Sequence, residues 1–101
     1  MYAVIKETSP FMVFMTKINA SEKRIKSILI EKCELLLALD EGVESENASD
    51  YEKLKNGNTD CISTFSFTST DTSVRIVFYS NNKDEYEEFC SSCRIDDEIT
   101  E

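Results

Sequence analysis

The residues best suited to chemistry are the four cysteines, and above all Cys90 and Cys93, which stand two residues apart. That spacing serves a redox dithiol or half of a tetrahedral zinc site. A redox thiol needs a helix N-terminus or a nearby cation to favour its thiolate. Here the pair comes at the end of a predicted helix, after Asp84, Glu85, Glu87 and Glu88, the opposite of that setting. Cys90 and Cys93 also share a helical stripe with Tyr86 and Phe89, as buried structural thiols do. Zinc would need two more ligands. Cys33 and Cys61 are single residues on a predicted helix and a predicted strand, and the chain has no histidine.

The missing histidine removes the ordinary acid–base partner of a Ser or Cys nucleophile. Two glycines, Gly42 and Gly57, cannot build a phosphate-cradling loop. Paired carboxylates abound, but a catalytic pair needs a dry cleft that drives its two pKa values apart. These carboxylates fall in charge-rich, hydrophilic stretches. The expectation is a protein that is not an enzyme and carries no cofactor.

Charge is the strongest compositional signal. Twenty acidic and eleven basic residues give a net charge of −9. Residues 1–32 sum to +3 and residues 33–101 to −12. Such a field repels nucleic acid and anionic membranes and attracts basic partners. The cationic group Lys17, Lys23, Arg24 and Lys26 lacks the interleaved aromatics of a single-strand platform. Fourteen carboxylates lie in two windows, residues 40–52 and 84–101. Carboxylates three or four apart on a helix are ~5–6 Å apart, close to the phosphate spacing along a nucleic-acid strand. The candidate partner-binding residues are Asp40, Glu41, Glu44, Glu46, Asp84, Glu87 and Glu88. The geometric condition is that the two windows converge on one surface.

The elements that must position these groups follow from periodicity. Ile25, Ile28, Leu29, Cys33, Leu36 and Leu37 recur at three- and four-residue spacing, which predicts a helix over residues 19–42. Asn19 is its expected cap, with Glu22 reaching back and Gly42 beyond the end. Residues 1–7 and 11–18 alternate as strands around the turn at Ser9-Pro10. The second has apolar residues on both faces, so it is expected to lie centrally or at a homodimer contact. Ser49 to Glu52 has capping-box spacing, which predicts a short helix over 50–55 ended by Asn56-Gly57. Residues 61–69 and 73–79 read as a second hairpin. Asn82 and Glu85 open a last helix, and residues 96–101 are expected to fray as an acidic tail.

The predicted fold is α+β, one domain over residues 1–95 with a tail over 96–101. Its order ββααββα implies a four-stranded, mainly antiparallel sheet with helices packed on one face. No apolar run approaches the ~20 residues that cross a bilayer. Nor does a basic leader precede a long apolar stretch, so a cytoplasmic protein is expected.

In size, charge and composition, the chain resembles small acidic phage-encoded inhibitors such as anti-restriction and anti-CRISPR proteins; no motif carries the likeness. The expected function is a protein-binding inhibitor or regulator that mimics nucleic acid. Its partner would be a basic, nucleic-acid-processing protein, without direct contact to nucleic acid or membrane. The alternative is a non-enzymatic interaction module. Its contact would be apolar, through residues 11–14, Tyr79 or Tyr86, and its cysteines would hold zinc.

Overall fold

The computed structural model describes residues 1–39, 49–69 and 71–101. Two strands, β1 (Tyr2–Thr8) and β2 (Val13–Asn19), lead into the long helix α1 (Glu22–Leu39). A short helix, α2 (Ser49–Lys55), and a 3-10 turn (Ile62–Thr64) follow. Then come β3 (Ser66–Thr68), β4 (Ser73–Ser80), α3 (Lys83–Ser91) and β5 (Asp97–Thr100). The strands form one mixed sheet in the order β3-β4-β1-β2-β5. The fold is α+β, as the sequence predicts, with five strands rather than four.

The fifth strand is the expected tail. β5 pairs in parallel with β2, Thr16 opposite Asp97 and Asn19 opposite Thr100. Two side chains hold it in place. Asp96 accepts the Met15 amide at 2.9 Å, and Glu101 accepts the Ser21 amide at 2.6 Å. Ile99 packs against the core. These contacts cover the β2 edge, which would otherwise offer unpaired backbone groups.

Successive side chains on a strand point to opposite faces, and β1 shows what each face meets. Ala3 and Ile5 are fully buried with Ile25, Ile28 and Leu29 of α1. Tyr2 instead meets Tyr86 of α3, with ring centroids 4.6 Å apart. So α1 and α2 cover one face and α3 covers the other, which corrects the expectation of helices on one face. A β-bulge allows this. Val4 lies opposite Phe78, but Ile5 lies opposite Ile76, so Val77 is the extra residue. The bulge turns Phe78 toward α3 while Ile76 and Val74 stay with α1.

Local signals place most helix ends. Asn82 caps α3 by accepting the Glu85 amide at 3.1 Å. Gly57, at φ 88°, follows α2 in the left-handed conformation that glycine tolerates. At α1 the cap is Ser21 and not Asn19: the Ser21 hydroxyl accepts the Arg24 amide at 3.2 Å. Asn19 is the last residue of β2. Glu22 does not reach back but accepts the Tyr79 hydroxyl at 3.1 Å. The expected stop at Gly42 lies outside the described residues. The predicted strand over 61–69 divides into a 3-10 turn, Ile62–Thr64, and a strand shortened to Ser66–Thr68 that pairs with β4. The buried Phe65 and Phe67 drive that segment inward, and truncating either would cost about 3–5 kcal/mol.

Candidate functional site

Helix α3 carries the described part of the expected site. Its inner side is aromatic: Tyr86 lies against Tyr2 and Phe78, and Phe89 stacks on Phe78 with centroids 5.0 Å apart. That packing forces the remaining helix positions outward. Asp84, Glu87 and Glu88 are all exposed. Their spacings of three and four put them on one stripe. One cation answers them: Lys83 approaches Glu87 at 3.9 Å, with both side chains well exposed. Such a pair contributes ~0–1 kcal/mol. Glu85 lies beside the stripe and accepts the Ser80 hydroxyl at 3.2 Å.

Three other carboxylates of the C-terminal window, Asp96, Glu98 and Glu101, contact the rest of the fold, while Asp97 stays exposed. Asp96 accepts the Met15 amide and pairs with Arg94 at 3.1 Å. Glu98 faces Lys17 at 3.7 Å, and Glu101 holds Ser21. The sequence carries no local sign that Asp96 and Glu101 accept backbone amides, since those amides lie about 80 positions away. Asp40, Glu41, Glu44 and Glu46 lie outside the described residues. The described remainder of that window, Asp50 and Glu52, sits on α2. Asp50 accepts the Ser66 amide at 3.0 Å. Because Tyr51 and Leu54 anchor α2 in the α1 layer, these two carboxylates and those of α3 lie on opposite sides of the sheet. The described carboxylates of α2 and α3 therefore do not converge.

The apolar candidates separate in the same way. Phe11, Met12 and Val13 at the β1–β2 hairpin tip are 95%, 56% and 51% exposed. Of these, Met12 lines an open groove of about 270 Å³ together with Phe14, Leu36, Val74, Glu7 and Thr8. Tyr86 is buried and Tyr79 half-buried. Burial, with Glu22 accepting a hydrogen bond from its hydroxyl, pushes the Tyr79 phenol up to about 12. Burial beside Cys90 and Glu98 does the same for Tyr86.

All four cysteines are free; Cys33 and Cys61 are buried, and Cys90 and Cys93 are half-buried. Burial, reinforced by Glu34, pushes the Cys33 thiol up to about 12. Burial also raises Cys61 and Cys90. Cys93 donates to the Phe89 carbonyl at 3.2 Å. Among the described residues, no three Cys, Asp or Glu come together as metal ligands. Among the described residues, no helix is long and apolar enough to cross a membrane.

No family model, curated protein or solved structure matches this chain.

Proposed function

We propose that the protein is a non-catalytic, protein-binding regulator whose α3 surface by itself, without the carboxylates of α2 on the other side of the sheet, engages the basic site of a nucleic-acid-processing protein and blocks it. The observation that carries this reading is the outward stripe Asp84, Glu87 and Glu88 on a helix whose opposite side is fixed by Tyr86 and Phe89. The carboxylates sit on a rigid element, so little ordering cost accompanies their binding. Among the described residues, Lys83 alone pairs with this stripe, through Glu87. Like a row of phosphates, they offer repeated negative charge at helical spacing.

The test is capture of partners from lysate at low and high salt by the native chain and by the triple variant Asp84→Asn, Glu87→Gln, Glu88→Gln. Screening over a Debye length of ~8–10 Å should release the partner as salt rises. The triple variant should bind about tenfold more weakly, with duplex DNA competing against the native chain. Capture unchanged by the triple substitution would refute the reading.

A second reading is favoured by the hairpin tip, because three consecutive exposed apolar side chains beside a groove are typical of a partner contact. It replaces the acidic stripe with an interface of residues 11–13. Phe11→Ser would abolish capture under that reading and leave it intact under the first.

A further inference from the structure

We infer that the depression beside the C-terminal half of α3 is a receptor for one arginine side chain of the partner protein; this rests on the reading that α3 faces that partner. The depression has a volume of about 370 Å³ and is lined by Phe78, Phe89, Glu85, Glu88 and Ser92. Phe78 and Phe89 on its wall stack on each other at an interplanar angle of 28°. Both rings are half-buried, and both carboxylates on the rim are exposed. No lysine or arginine is among its lining residues.

Each of these features selects a cation, and together they select a flat one. Aromatic ring surfaces attract cations, and guanidinium stacks on them more often than ammonium does. Glu85 and Glu88 stand three apart on one helix side, within reach of a forked donor. Ser80 holds Glu85 from the sheet, 3.2 Å from its carboxylate, so one arm of the fork is oriented before the ligand arrives. The depression also lies at the last turn of α3, where the helix dipole is negative. An anion meets four unfavourable terms here. A neutral apolar group would leave both carboxylates facing it.

The proposal assigns distinct roles to neighbouring residues. Asp84 and Glu87 attract the partner at long range, while Phe89 and Glu85 hold one of its side chains. The experiment is a heteronuclear NMR titration of the full chain at low salt with a peptide of alternating Gly and Arg. Matched peptides carrying Lys or citrulline in place of Arg serve as controls. Shifts should concentrate on Phe78, Phe89, Glu85 and Glu88, with the Arg peptide tightest and the citrulline peptide inert. Phe89→Leu, which keeps apolar volume in the contact with Phe78, should weaken the Arg peptide about three- to five-fold. Glu85→Gln should weaken it by a similar factor. Equal binding of Arg and Lys peptides with Phe89→Leu unchanged would overturn the receptor. If Asp84→Asn with Glu87→Gln still weakened binding, the acidic-surface reading would stand without it. Absence of binding by any cationic peptide at low salt would remove both.

Discussion

Thr16 is the residue that fits its surroundings worst. It is 1% exposed, and its hydroxyl finds no partner among the described residues. It lies opposite Ile5 on the sheet face under α1, flanked by Ile18. A desolvated hydroxyl without a hydrogen bond costs about 1–3 kcal/mol. Thr16→Val keeps the shape, removes the hydroxyl and suits a strand. The variant is expected to be more stable by about 1 kcal/mol, raising Tm by roughly 4–8 °C. Thermal denaturation reads this directly, and a variant less stable than the native chain would show that the hydroxyl is satisfied.

At the scale of elements, β5 controls two distant ends. It closes the β2 edge, and its flanking residues supply the acceptors for Met15 and Ser21. Glu101 acts at the N-terminus of α1 as a capping-box glutamate would, but from the other end of the chain. Removing residues 96–101 therefore strips a strand, the Ile99 contact and a helix cap together. The shortened chain is expected to lose about 2–3 kcal/mol. Its Met15 and Ser21 amides should exchange with solvent faster, while the Glu85 amide under Asn82 stays as protected as before. Undiminished protection at Met15 would mean that the tail adds little.

For the molecule as a whole, pH reports how tightly the two sides of the sheet are sealed. Cys33 lies in the α1 layer, Tyr86 in the α3 layer, and Tyr79 ties β4 to α1 through Glu22. All three are pushed up to about 12, above the ordinary 9.0 for Cys and 10.0 for Tyr. The folded protein therefore holds these protons more tightly than the unfolded chain. Their contribution is complete below about pH 9 and is lost as pH rises toward about 12. Urea midpoints should fall over that window. Tyr79→Phe and Tyr86→Phe should flatten the fall, each on its own side of the sheet. A midpoint that holds level up to about pH 11 would contradict the burial of these groups.

What the sequence determined on its own are the features whose causes lie within a few residues. The apolar stripe of α1 obeys helical spacing, so its buried side was legible from Ile25 to Cys33. The Asn82 cap and the Gly57 stop depend on neighbours three or four positions away. The stripe Asp84, Glu87, Glu88 was legible for the same reason. Only the tertiary structure decided which carboxylates remain available. Asp96 and Glu101 are claimed by amides about 80 positions distant, and Asp50 by Ser66. Nor could periodicity assign α3 to the far face. The bulge at Val77 turns Phe78 away from Ile76, and on that far face Phe78 stacks on Phe89 of α3. Helical spacing is enforced by bonds along the chain, whereas the use of a charge depends on which backbone group the closed sheet sets beside it.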